Sequence, residues 1–473
     1  MAEWRVSDEA PLREIEGLDH ERCAALHNYI VELGWTQRGL PLDQLDKRTW
    51  WECYGGDAAL AETTARLNSP VVSFLKAAWH GFAMDGAPKL HYFHRYLYGL
   101  CTPAQLWQNI NYADDEDESN KRRYVKLYMA NWALGATHPL GLILDQDGGT
   151  AMQHMSVHDT EITMNGRQTW LPLEIILDGL VDLIEQGKIR AVDETYAGEQ
   201  ERTEPWIMPS YTQRDLDEAV DAFTQLVDAI HVRMPERPRS EGVGLLDIVT
   251  GGHPEILPAD SFAHLFLAAC PRPAFKFIAP GLGIATTQPF APDPEHPANT
   301  ATVFPFLLFA SPSPAHQPTQ PTPWGTQILI SPFTRPFDTI NTTYPSGLYL
   351  SETDPSGPHP FSDGSKLLLP YALGSNACAR TSDGALIGEN ARREGHDAAA
   401  ELQPTSTQLF QLGFNHFIAS HDVQLRYVLC RWAELVEEGK WDVDEHGVMG
   451  GVEKWREADK EESWADYCLP MSW

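Results

Sequence analysis

The sequence predicts an α+β fold, with a mainly helical N-terminal half, an irregular antiparallel β region and a C-terminal helix that packs back. Three patterns carry that prediction. Apolar residues recur at helical spacing behind capping residues up to about residue 240. Short apolar runs then alternate with prolines and Asp-Gly turns as far as residue 404. A helical apolar stripe returns after residue 405 and gives way to a tryptophan-bearing tail. The chain thus divides as 1–240, 241–404 and 405–473. Its 473 residues exceed the roughly 250–300 that one hydrophobic core serves.

In the first segment, Asp19 caps HERCAALHNYIVEL and Gly34 reads as its stop. Ser69 and Pro70 open VVSFLKAAWHGFAM, and Thr102 with Pro103 repeats that signal before AQLWQNI. Over 121–133, Tyr124, Leu127, Tyr128 and Trp132 fall on one helical face. Gly148-Gly149 marks a turn, followed by a stretch that reads as either strand or loop. Leu171-Pro172 starts LEIILDGLVDLIEQ, which ends at Gly187. Thr212 and Asp215 form a capping box, with Asp in place of the usual Glu, for a helix that stops before Pro235.

The β region begins after a Pro-, Arg- and Gly-rich stretch at 236–244. A helix is expected at 259–269, a strand at 275–278, and a buried strand at 303–310 between Pro-rich loops. Within 327–390, β-prone runs lie at 327–330, 366–371 and 385–387. The turns Asp363-Gly364 and Asp383-Gly384 bracket the middle of this stretch, because glycine supplies the positive φ of a tight turn. Pro332, Pro336, Pro345, Pro355, Pro358 and Pro360 lack a ladder N–H, so the strands here are short. Residues 405–438 read as one long or slightly broken helix with Leu425, Val428, Leu429, Trp432 and Leu435 as its stripe and Gly439 as its end.

Composition narrows the function. The net charge is −31, and Lys121-Arg122-Arg123 is the only compact basic run, which disfavours nucleic acid and anionic membrane surfaces as partners. The seven cysteines are dispersed, odd in number and without a C-x-x-C pair, against both a disulfide framework and a structural zinc site. No apolar leader opens the sequence and no run reaches the ~20 apolar residues of a membrane span. The expectation is a soluble, acidic, reduced, cytoplasmic protein.

Motif searching finds no dinucleotide fingerprint, Walker motif or nucleophile elbow, so the expected chemistry uses no cofactor. His154 and His158 have the four-residue spacing of a helical metal pair, but they lack the glutamate of an H-E-x-x-H site. His91 and His94 lie among aromatics that equally suit packing. The polar loops of 327–390 carry the preferred candidates. Arg335, Tyr344, Asn376 and Arg380 would bind a small polar or anionic molecule, since a guanidinium fork matches a carboxylate. Asp338, Glu389 and His416 would do acid–base work once burial brings a carboxylate toward neutral pH. Arg380 and Glu389 flank the second Asp-Gly turn, where a plain structural ion pair explains them as well.

The tail carries Trp441, Gly447-Val448, Gly450-Gly451, Glu457-Ala458-Asp459 and Trp464. Together with the stretches SPFTRPFDT and ARTSDGALIGEN, it resembles an uncharacterised protein family of filamentous fungi. That resemblance implies no activity and transfers no residue roles. Two functional readings follow. One is a cofactor-free enzyme acting by acid–base chemistry on a small polar or anionic organic molecule, as in the tailoring of a secondary metabolite. The other is a non-enzymatic scaffold or binding protein with a protein partner. A His-ligated metal-dependent oxygenase is a third, smaller reading.

Overall fold

Local sequence signals set the first helices. In the computed structural model, residues 2–7, 9–81, 92–108, 123–131, 141–154, 163–164, 167–168, 170–198, 203–236, 242–291, 304–317, 319–321, 327–329, 332–333, 343–350, 361–382, 384–387, 406–412 and 422–470 are described. The fold is α+β. Its contacts divide it into two units, the first Met1–Pro209 and the second beginning at Ser210.

In the first unit, helices α1 (His20–Thr36), α2 (Ser69–Ala77) and α3 (Leu173–Glu185) accompany an antiparallel sheet. Its strands run in the order β1 (Leu97–Leu100), β2 (Tyr124–Ala130), β3 (Gly141–Asp145), β4 (Thr150–His154) and β5 (Leu171–Pro172). Asp19 caps α1 as expected, its carboxylate accepting the Arg22 N–H at 3.0 Å. Gly34 does not stop the helix. It is buried within α1, and Gly39 at φ 75° is the first left-handed residue beyond. For α2 the capping side chain is Asn68, one residue before the expected Ser69, and it accepts the Val71 N–H at 3.1 Å. Residues 103–108 form turns rather than the helix expected after Pro103.

Of the helix expected at 121–133, residues 124–130 form strand β2 instead, paired with β1 and β3. Tyr124, Val125, Leu127 and Tyr128 are all buried, so consecutive side chains on opposite faces both meet the core. Such a strand shows no polar alternation, and its apolar run imitates a helical stripe. The β3–β4 turn needs glycine at 149. Its φ is 66°, and a Cβ there would lie 2.3 Å from the Gly17 carbonyl.

The second unit holds α4 (Gln213–Arg233), α5 (Phe262–Ala269) and α6 (Leu425–Glu437). The strands of its main sheet are β6 (Phe277–Ala279), β7 (Leu282–Ile284), β8 (Phe306–Pro314), β9 (Pro345–Leu350), β10 (Gly364–Leu373), β11 (Ser406–Leu409), β12 (Val423–Gln424), β13 (Val443–Asp444) and β14 (Gly447–Val448). They form one sheet in the order β11-β10-β9-β8-β7-β6-β14-β13, with β12 also on β10. Every pairing is antiparallel except β6 with β14. The Thr212–Asp215 capping box is present in full and starts α4. Helix α6 packs along α4, burying Leu425, Val428, Leu429, Trp432 and Leu435, and Gly439 at φ 71° follows it. Where one long or slightly broken helix is expected over 405–438, the described residues form two short strands and then α6. The run at 385–387 is not a strand, and only Leu386 forms a bridge, to Arg380.

The tail is part of the core. Trp441 and Trp455 lie against Trp432, with ring centroids 6.2 and 5.6 Å away. The Trp455 indole donates to Pro280 O at 2.8 Å, and that of Trp441 to the Tyr467 hydroxyl at 3.1 Å. Among the described residues, no helix is long and apolar enough to cross a membrane.

Candidate functional site

The loop 374–379 follows β10 and is shaped by one buried carboxylate. Asp459 ends a 3₁₀ helix, Val452–Asp459, and is 3 % exposed. It accepts backbone N–H groups from Gly374, Asn376, Cys378 and Ala379, each at 3.0 Å. Ala377 takes φ 54° at the crest, so successive N–H groups turn inward as in an anion-binding nest. Burial pushes the Asp459 carboxyl up. The four N–H bonds outweigh it and hold the group below its ordinary range. The Asn376 side chain donates to Asp459 O at 2.9 Å, so this predicted binding residue helps to fix the loop. Ser375, Asn376 and Ala377 remain exposed at its tip.

Arg380 leaves this loop on the same frame. Its guanidinium lies 5.0 Å from the Trp464 ring centroid and donates one N–H to Gly384 O at 3.0 Å. Among the described residues, no carboxylate pairs with it. Trp464 opens a second 3₁₀ helix, Trp464–Tyr467, and its N–H donates to Lys460 O at 2.9 Å. Lys460 is exposed and likewise has no carboxylate partner among the described residues. Lys460 and Ser463 line a cleft of about 370 Å³ with Lys440, Lys454 and Glu457. There the ammonium of Lys440 is bonded to Asp466 at 2.8 Å and that of Lys454 to Glu457 at 3.0 Å.

Tyr344 lies elsewhere, 2 % exposed within an aromatic cluster of Phe290, Phe333 and Tyr349. Burial pushes its hydroxyl up to about 12. Arg335, Asp338, Glu389 and His416 lie outside the described residues. Of the predicted set, the structure brings together Asn376 and Arg380. Trp464, Lys460 and Asp459 join them from the tail, about 80 positions on, where spacing within 327–390 gives no signal.

The histidine pairs separate. His154 is the last residue of β4 rather than part of a helix, and His91 and His158 lie outside the described residues. His94 is fully buried, its Nδ1 accepts the Tyr96 N–H at 3.3 Å, and its Nε2 has no hydrogen-bond partner among the described residues. Burial lowers its pKa to about 3. His27 on α1 donates from Nε2 to Trp79 O at 2.8 Å. Its Nδ1 lies 2.8 Å from the Tyr128 hydroxyl, which donates to it. Burial lowers this imidazole to about 4. Among the described residues, no group of three His, Cys, Asp or Glu side chains is placed to hold a metal ion. Comparison with family models, curated proteins and solved structures finds no match to this chain.

Proposed function

We propose that the second unit is a recognition module for an organic anion, with Arg380 as its principal contact. One observation carries this reading. In a chain with 66 acidic residues, Arg380 has no acidic partner among the described residues, yet its orientation is fixed. Stacking on Trp464 and the bond to Gly384 O remove rotamer freedom before any ligand arrives, so less entropy is lost on binding. The remaining N–H groups of the fork suit a carboxylate or phosphate oxygen pair. Arginine and tryptophan together are also the residue types that dominate recognition surfaces. Lys460, one turn before Trp464, supplies a second positive group beside the cleft. The ligand class is a small molecule or exposed protein side chain bearing carboxylate or phosphate. Calorimetric titration with succinate and with inorganic phosphate, on the wild type and on Arg380→Gln, tests this reading.

A further inference from the structure

The segment ahead of α1 is held to the first unit almost entirely by charge. Arg5 donates to Asp178, Asp182 and Glu185, which lie on one face of α3 at spacings of four and three. Arg13 reaches Asp19 and, at 3.0 Å, Glu21. From the body, buried Arg22 donates to Pro11 O at 2.9 Å and Ala10 O at 3.4 Å. Apolar anchoring comes from Trp4 and Val6, which are half-buried. Residues 11–16 are exposed, with Leu12 at 38 % and Ile15 at 48 %. The firm attachment comes after them, at Gly17, with φ 76°, and buried Leu18.

We infer that this segment is an ionic strap. It hinges at Gly17, is latched by Arg5, and covers the acidic face of α3 until screening or a competing cation releases it. Closed, the single Arg5 guanidinium bridges three carboxylates that otherwise repel one another, offsetting one of their three charges. Burial holds Asp182 above its ordinary range even with Arg5 beside it, so the covered face is partly desolvated. Open, the strap presents Asp178, Asp182 and Glu185 as one row, with Glu185 still accepting the Tyr29 hydroxyl at 2.9 Å. The body keeps its own core and caps, so release does not unfold it.

Trypsin cleavage after Arg13, read by mass spectrometry, tests this. Rates are normalised to a free peptide of residues 2–18, which cancels any effect of salt on the protease. Raising NaCl from about 0.05 to about 0.5 M shortens the Debye length from above 10 Å to below 5 Å and is expected to speed cleavage about tenfold. Arg5→Gln is expected to be cleaved at the fast rate already in low salt, with α1 and α3 intact. The inference is overturned if the normalised rate is indifferent to salt. It is also overturned if Arg5→Gln keeps the slow rate, or if cleavage after Arg13 appears only together with digestion of α1 or α3.

Discussion

Asp459 carries the largest share of polar satisfaction for one side chain in the second unit's loop 374–379. Asp459→Ala leaves four backbone N–H groups of that loop without their acceptor, that of Ala379 buried and the other three part-buried, where a fully buried unmet donor costs about 1–3 kcal/mol and a part-buried one less. The expected loss is at least about 3 kcal/mol in urea unfolding, with Asp459→Asn intermediate because its amide oxygen still accepts. The pH dependence follows from direction. A carboxyl held below its unfolded value stabilises above that value, and the stabilisation disappears as pH falls through the folded pKa. His27 and His94 act at higher pH. Their folded values of about 4 and about 3 lie below the unfolded 6.5, so the unfolded chain binds protons first. Stability of the first unit should therefore fall as pH drops from about 6.5 to about 4, by up to about 1.4 kcal/mol per pH unit for each histidine. The pH slope of urea midpoints over that range checks this, and His27→Gln should flatten it.

At the scale of elements, the seating of α6 against strand β8 and the tail turns on Trp432. This side chain is fully buried, with Phe309, Trp441 and Trp455 around it. Trp432→Ala is expected to cost about 3–5 kcal/mol, measured as a lowered urea midpoint with an unchanged slope. The stripe that builds this interface was legible in the sequence because α6 is amphipathic and its exposed face is polar. So were the Thr212–Asp215 box and the Asp19 cap, whose bonds lie within four residues. Strand β2 was not legible, because a strand buried on both faces loses the alternation that marks it. Strands β11 and β12 were absorbed into a neighbouring helical pattern for a related reason. They are only four and two residues long, shorter than any window in which a period can be recognised.

At the scale of the whole molecule, the candidate site is assembled from positions far apart in sequence. Residues 327–390 offer Asn376 and Arg380 as candidates, since polar loops on a Pro-rich frame stand out in a sequence. They do not point to Asp459, Lys460 or Trp464, because their meeting with the loop is set by how the tail enters the core through Trp441 and Trp455. The net charge of −31 sharpens the reading of Arg380, since a fixed cation with no acidic partner among the described residues stands out in so acidic a chain.

Calorimetric titration with succinate and with inorganic phosphate, wild type against Arg380→Gln, is the most direct measurement of that central claim. Glutamine keeps a donor for Gly384 O while removing the charge and the fork, and urea midpoints verify that the fold is retained. The expected result is saturable binding of at least one anion by the wild type and at least about tenfold weaker binding by the variant, matching the ~1.5–3 kcal/mol of a charge-assisted hydrogen bond. Equal affinity in the two proteins, or no saturable binding of either anion by the wild type, would contradict it.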